Sequence, residues 1–134
     1  MTFLIQIPQL IFGGAEKVLV SFTKCLVEHG HEVEVLETYE CGLLCDQFDP
    51  RVHFSAICSK AYTAKYYASL SDIRATDKLC QKLKKCAKLG FSKLVGYRRF
   101  AEHLAAKQYK NRHFDVAINY LESESPEFLL NNIH

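Results

Sequence analysis

The hydrophobic pattern at the start of the chain predicts a strand, a helix and a second strand. Residues 2–7 are nearly all apolar, which is typical of a strand buried on both faces of a parallel sheet. Over residues 15–29, apolar positions recur every three or four residues, as they do on one face of a helix. Gly30 is placed to end that helix in the left-handed conformation, and residues 33–36 again have a strand pattern. The predicted apolar face of the helix comprises Ala15, Val18, Leu19, Phe22, Cys25 and Leu26.

The remainder of the chain continues this alternation of strands and helices. We predict a loop with a short helical turn over residues 39–51, a strand over 52–57, a partly helical segment over 60–75, helices over 76–89 and 94–109, a strand over 114–120 and a helix from Pro126 onward. Strands that alternate with helices favour a parallel sheet. The predicted fold class is therefore α/β, a Rossmann-like parallel sheet with helices on both faces, over residues 1–134 as a single domain.

Composition narrows the class of protein. A chain of 134 residues with 49% hydrophobic residues can bury a core of its own. Its 17 basic and 15 acidic residues give a net charge of +2, which does not indicate a nucleic-acid partner. There is no secretory leader pattern, and no apolar run approaches the ~18 residues that a membrane-spanning helix needs. We expect a cytoplasmic protein, either free or peripheral on the cytoplasmic membrane face.

The six cysteines do not form a recognisable disulfide or zinc pattern. None of them belongs to a Cys-x-x-Cys pair, and no His-x-x-x-His partner is present. Structural or inert thiols in a reducing compartment are the favoured interpretation, with Cys25 as a small buried hydrophobe on the first helix. Nothing in the sequence requires a metal.

The glycine pair between the first strand and the first helix is the most informative feature. Gly13 and Gly14 have no Cβ, so a charged ligand can approach the main chain closely. The free amides of Gly14 and Ala15 at the helix start then make an anion site. A tight turn without any ligand is the competing interpretation. Glu16 lies in the first helical turn, where its negative charge stabilises the helix by interacting with the helix dipole. The same charge would repel a phosphate that lies too near.

Three loops are predicted to open at the carboxyl edge of the sheet, where ligands bind in such folds. They cover residues 8–14, 37–45 and 121–125. The first loop offers amides to a phosphate. The other two offer carboxylates that accept hydrogen bonds from sugar or ribose hydroxyls. These carboxylates are Glu37, Glu40, Glu122 and Glu124, of which Glu37 and Glu122 are the candidate acceptor-binding residues.

A lysine-rich stretch follows the third predicted strand. Within it, Leu79, Leu83, Cys86, Ala87 and Gly90 share one helical face. The favoured interpretation is an ordinary amphipathic helix packed on the sheet. The alternative, more specific interpretation is contact with an anionic membrane surface. That contact would be made by Lys78, Lys82, Lys85, Arg98 and Arg99, assisted by Lys84, Lys88 and Lys93. Nucleic-acid binding is disfavoured because no stacking aromatics share the basic face.

Three segments form a recognisable combination: residues 12–20 (FGGAEKVLV), 26–35 (LVEHGHEVEV) and 114–122 (FDVAINYLE). Together they resemble family 4-like retaining glycosyltransferases of the GT-B type. The resemblance implies an N-terminal domain that holds a glycan or lipid-linked acceptor in polysaccharide biosynthesis. It also implies that Gly13 and Gly14 face the diphosphate of a nucleotide sugar held mainly by a C-terminal domain. The nucleotide sugar is a substrate, and no cofactor is implied.

The chain also departs from that family's pattern. The donor domain with its paired glutamates cannot fit after His134, and His134 does not match the histidine of the family's cleft. We therefore expect a truncated, excised or split acceptor-side domain, inactive without the missing C-terminal domain or a partner chain. Two alternatives stay open. One is a non-catalytic binding subunit, and the other is a dinucleotide-binding module in which Glu37 holds a ribose, although the third glycine of Gly-x-Gly-x-x-Gly is missing.

Overall fold

The computed structural model describes residues 1–68, 70–76, 78–121 and 126–133. These residues form a four-stranded sheet in the order β3-β2-β1-β4, and every neighbouring pair is parallel. The strands are β1 (Thr2–Ile7), β2 (Glu32–Tyr39), β3 (His53–Cys58) and β4 (Val116–Asn119). The predicted α/β class and the Rossmann-like parallel sheet are confirmed.

The strand β1 is central because it has a partner on each side. It pairs with β2 from Thr2 opposite Glu32 to Ile7 opposite Glu37, and with β4 from Phe3 opposite Val116. Leu4, Ile5 and Ile7 are completely buried. A strand covered on both faces needs apolar residues at successive positions, which explains why the start of the chain is nearly all apolar, with Gln6 as its buried polar exception.

Helices cover both faces of this sheet. They are α1 (Gly14–Glu28), α2 (Lys60–Tyr66), α3 (Leu70–Arg74), α4 (Leu79–Phe91), α5 (Tyr97–Tyr109) and α6 (Glu127–Asn132), with a 3-10 helix at Cys45–Gln47 and a π-helix at Ser92–Gly96. Successive residues of a strand point to opposite faces. Leu4 accordingly belongs to a cluster with residues of α5 and α6, whereas Ile5 belongs to one with Leu19 and Val27 of α1.

The buried face of α1 differs from the predicted one. Its buried residues are Glu16, Leu19, Thr23 and Val27, whereas Val18 is 61% exposed and Cys25 is also exposed. The predictions for Val18 and Cys25 are wrong, as is that for Phe22, which is 37% exposed, because hydropathy treats threonine as a surface residue. Thr23 can be buried because its Oγ1 donates to the Val20 carbonyl at 3.1 Å, so its hydroxyl is satisfied inside the helix.

The helix α1 ends as predicted. Gly30 has a φ of +79°, in the left-handed region that other residues rarely adopt. The amide of Gly30 donates to the Val27 carbonyl at 3.0 Å, and the amide of His31 donates to Leu26 at 3.1 Å. These bonds satisfy carbonyls at the end of the helix and lead directly into β2.

The leucine stripe of α4 faces outward, so the favoured prediction that it packs on the sheet is wrong. No residue of α4 is buried, and Leu79 and Leu83 are 72% and 63% exposed. Lys85 Nζ instead donates inward to Thr76 Oγ1 at 2.7 Å, and Lys88 Nζ donates to the Ala64 carbonyl at 2.8 Å. The helix packs against α2, α3 and the π-helix, and its lysines make part of that contact.

A buried polar network attaches the end of α5 to the sheet. Glu34 Oε1 accepts hydrogen bonds from Tyr109 Oη at 2.5 Å, Ser55 Oγ at 2.7 Å and Arg112 Nη1 at 3.1 Å. Arg112 Nη2 also donates to Glu34 Oε2, and its guanidinium lies 4.9 Å from the centre of the Phe114 ring. Burial raises the pKa of Glu34, but the three hydrogen-bond donors outweigh it and hold that pKa below its ordinary value.

None of the six cysteines forms a disulfide, and Cys58 is buried whereas Cys25, Cys80 and Cys86 are exposed. Among the described helices, none combines the length and the apolar character that crossing a bilayer requires.

Candidate binding site at the carboxyl edge of the sheet

The strand order places a crevice beside the end of β1. The chain passes from β1 outward to β2 and β3, then returns to add β4 on the other side of β1. Ligands of open parallel sheets bind where the order reverses, outside the carboxyl ends of the strands. The loop of residues 8–13 and the start of α1 lie at this position, next to the end of β4.

The first turn of α1 has no side-chain cap. Gly13 is the N-cap residue, and its backbone is extended, with φ −150° and ψ 174°. A Cβ atom added at Gly14 would have no atom within 4 Å, so the space beside this residue is open. A Cβ atom added at Gly13 would collide with Oε2 of Glu16. Neither glycine has a positive φ, so neither is needed for a left-handed turn, and Gly13 instead leaves room for the Glu16 carboxylate.

Glu16 and Tyr120 form one wall of this corner. Glu16 is only 7% exposed, and its carboxylate lies over Gly13. Tyr120 follows β4, and its Oη donates to the carbonyl of Ala15 at 3.1 Å. Burial, together with the negative charge of Glu16, raises the pKa of Tyr120. The end of β4 is thereby attached to the start of α1, and the open space of this corner lies on the Gly14 side.

Glu37 fixes the two neighbouring loops. This residue is 2% exposed, and its Oε2 accepts hydrogen bonds from the backbone amides of Leu10 at 3.0 Å, Cys41 at 3.0 Å and Gly42 at 3.4 Å. Leu10 belongs to the loop after β1, and the other two belong to the loop after β2. Glu37 lies at the predicted edge of the sheet, and the hydrogen bonds to its carboxylate hold both loops in place.

A cavity of about 240 Å³ lies beside Glu37. Glu40 also lines it, and its Oε2 accepts from the amide of Lys60 at 2.6 Å. Ser59 completes the start of α2, because its Oγ accepts from the amide of Tyr62 at 3.1 Å. The loop after β2 is therefore attached to the start of α2 as well as to the loop after β1.

A larger groove, of about 440 Å³, lies beyond the ends of β2 and β3. Three tyrosines contribute to it, and the Tyr67 and Tyr97 ring centres are 5.3 Å apart. Tyr97 Oη and Thr63 Oγ1 are 2.5 Å apart and share a hydrogen bond. We call this the tyrosine groove, lined by Tyr39, Glu40, Cys58, Thr63, Tyr67 and Tyr97.

The tyrosine groove was not predicted from the sequence. Tyr39 ends β2, Tyr67 follows α2 and Tyr97 begins α5, so the three come from distant parts of the chain. The available signal was the abundance of tyrosine in residues 60–75. Aromatic rings with a few hydroxyls and a carboxylate are typical of ligand pockets, in which a small number of polar groups fix the orientation of the ligand.

The other predicted site residues are distributed as follows. Gly13, Gly14, Ala15 and Glu37 all lie at the carboxyl edge, whereas Glu122 and Glu124 fall outside the described residues. Among the predicted membrane residues, Lys78, Lys82 and Arg99 are exposed. Lys85 is turned toward Thr76, and Arg98 pairs with Glu102 at 2.8 Å.

Comparison of the chain with protein-family models, curated proteins and solved structures found no match. The glycosyltransferase resemblance therefore rests on the sequence segments alone.

Proposed function

We propose that this chain is the acceptor-side domain of a retaining glycosyltransferase, which transfers a sugar from a nucleotide sugar to a glycan or lipid-linked acceptor. One observation carries the proposal. The uncapped start of α1, with open space beside Gly14, lies at the reversal of strand order. The tyrosine groove opens on the same edge of the sheet, beyond β2 and β3. The edge thus offers one place for an anion and another for a polar ring.

The proposed anion is the diphosphate of the donor. Backbone amides of Gly14 and Ala15 would stabilise the negative charge that develops on the departing phosphate. Fixed amides are suited to this task because they need no reorganisation during the reaction. Glu16 limits the position of the diphosphate, since its buried carboxylate repels an anion on the Gly13 side.

The proposed acceptor occupies the tyrosine groove. The rings of Tyr67 and Tyr97 offer apolar faces to a sugar, and Glu40 and Thr63 offer hydrogen-bond acceptors to its hydroxyls. Glu37 supports this site indirectly by holding the loop after β2 in place. The proposed acceptor role of Glu122 stays a prediction.

A second domain or partner chain would complete the active site. Ile11 and Phe12, just before the glycine pair, are 44% and 68% exposed. Exposed apolar residues at the rim of a crevice are typical of a surface that another domain or a partner chain covers. The donor nucleotide would then be held between the two parts, and this chain alone would transfer sugar poorly or not at all.

The experiment measures binding of nucleoside diphosphates by amide chemical shifts. Ligand should perturb the amides of residues 13–16, and Gly14→Val should lower the affinity at least about tenfold, because its branched side chain fills the space beside the helix start. Gly90→Val is the matched control, since a Cβ at Gly90 also meets no atom within 4 Å. Equal affinity in the two variants would refute the proposal.

A dinucleotide-binding module is the weaker alternative. In that function Glu37 would accept hydrogen bonds from a ribose. Its Oε2 already accepts from three backbone amides, so a ribose would have to compete with them. Binding of a nicotinamide dinucleotide in the same titration, with loss of affinity in Glu37→Gln, would favour this alternative. A non-catalytic binding subunit would bind as proposed but show no transfer when the second domain is supplied.

A further inference from the structure

Four large apolar side chains form an exposed strip along α4 and the π-helix. Leu79 and Leu83 are 72% and 63% exposed, and Leu94 and Val95 are 89% and 45% exposed. Leu79 and Leu83 are four residues apart and so lie one above the other on the helix. We call these four residues the leucine strip. A stretch of 18 helical residues, from Leu79 to Gly96, is about 27 Å long at the usual rise of an α-helix.

The outward orientation of the leucine strip is fixed by contacts on the opposite side of α4. Lys85 and Lys88 donate hydrogen bonds to Thr76 and to the Ala64 carbonyl. Phe91 packs at the end of α4, with ring centres 5.9 Å from Tyr66 and 5.3 Å from Phe100. The helix cannot turn its leucines inward without breaking these contacts.

The segment that carries the leucine strip contains only positive charges. Residues 78–101 contain six lysines and two arginines but no aspartate or glutamate. In the rest of the chain, nine basic residues are outnumbered by fifteen acidic ones. Lys82 and Lys84 are exposed, and helical geometry places one on each side of the Leu79–Leu83 line. Lys93 is exposed next to Leu94.

We propose that the leucine strip lies on an anionic lipid surface. Leucines would enter the boundary between head groups and acyl chains, while Lys82, Lys84 and Lys93 contact the anionic head groups. A second copy of this chain is disfavoured as the occupant, because two such faces would bring like charges together. The contact is interfacial, and it does not depend on the proposed transferase function.

The first experiment is co-sedimentation of the 134-residue chain with lipid vesicles. Vesicles that contain phosphatidylglycerol should bind the protein and release it at high salt, whereas vesicles of phosphatidylcholine alone should not bind it. The double variant Lys82→Gln/Lys84→Gln should lower the apparent affinity about thirtyfold, since each basic residue near the surface contributes about a fivefold factor. The double variant Leu83→Gln/Leu94→Gln should lower it at least about tenfold.

The matched control is Lys107→Gln/Lys110→Gln. These two lysines are exposed near the end of α5, outside the basic segment. The control should bind vesicles as strongly as the unaltered chain does. All three double variants should have the thermal unfolding midpoint of the unaltered chain, because the altered side chains are exposed. Equal loss of affinity in the control, or binding that is insensitive to lipid charge and salt, would overturn the proposal.

A second experiment detects insertion directly. Cys86 has the helical phase of the leucine strip, and Cys25 is exposed on α1. An environment-sensitive fluorophore on Cys86, with the other exposed cysteines changed to serine, should shift to the blue on anionic vesicles. The same label on Cys25 should not shift. A shift at Cys86 that depends on protein concentration in the absence of lipid would indicate a second copy and would overturn the proposal.

Discussion

At the residue scale, two buried glutamates hold parts of the fold together. Neither takes a direct part in the proposed sugar transfer. Glu37 accepts from three backbone amides at the carboxyl edge, and Glu34 accepts from Tyr109, Ser55 and Arg112 farther toward the amino ends of the strands. A buried carboxylate is tolerated only when such donors replace the water it has lost. Sequence reasoning could place Glu37 at a strand end but could not foresee that loop amides would surround it.

Removal of the Glu37 carboxylate should destabilise both neighbouring loops. Glu37→Ala leaves three amides without their acceptor, so the free energy of unfolding should fall by about 3 kcal/mol in urea titrations. Glu37→Gln keeps one acceptor oxygen and should lose less than half of that. A Glu37→Ala protein as stable as the unaltered chain would show that the three hydrogen bonds contribute nothing.

Stability should depend on pH through Glu34. Its pKa in the folded protein lies below the ordinary value of 4.5. The stabilisation is therefore fully present above that ordinary value and is lost as the pH falls through the lower, folded pKa. Thermal unfolding midpoints of the unaltered chain should drop in this acid range, whereas those of Glu34→Gln should be lower at neutral pH and change less. Glu28→Gln, on the exposed face of α1, serves as the control.

At the element scale, the type of each element could be predicted more fully than its orientation. The strand β1 and the left-handed end of α1 at Gly30 agree with their hydrophobic and glycine signals. The burial phase of α1 and the outward leucines of α4 do not. Periodicity identifies an apolar face but not what covers it, and α4 packs against other helices through its lysine side.

Two leucine substitutions distinguish a packed helix from an uncovered one. Leu19 of α1 is completely buried, so Leu19→Ala should lower the free energy of unfolding by about 3 kcal/mol. Leu83→Ala in α4 should change it by less than about 0.5 kcal/mol, because the side chain is already in water. Denaturant titrations of both variants give the comparison. A large fall in the free energy of unfolding of Leu83→Ala would mean that Leu83 is packed inside the protein.

At the scale of the whole molecule, alternation of strands and helices was sufficient to predict the parallel sheet. Local pattern could not predict the position of β4 beside β1, because strand order depends on contacts between distant residues. The same limit applies to the site. The glycine corner is local and was identified, whereas the tyrosine groove combines Tyr39, Tyr67 and Tyr97 from separate elements.

The place of β4 in the sheet also sets an order of events during synthesis. On the β4 side, the amide of Thr2 donates to Asp115 Oδ2 across 113 residues of chain. The strand β1 can pair with β2 early, but its other edge has no partner until the segment Val116–Asn119 has left the ribosome. An apolar strand with one open edge is a target for aggregation and for chaperones. The nascent chain is therefore most vulnerable just before β4 emerges.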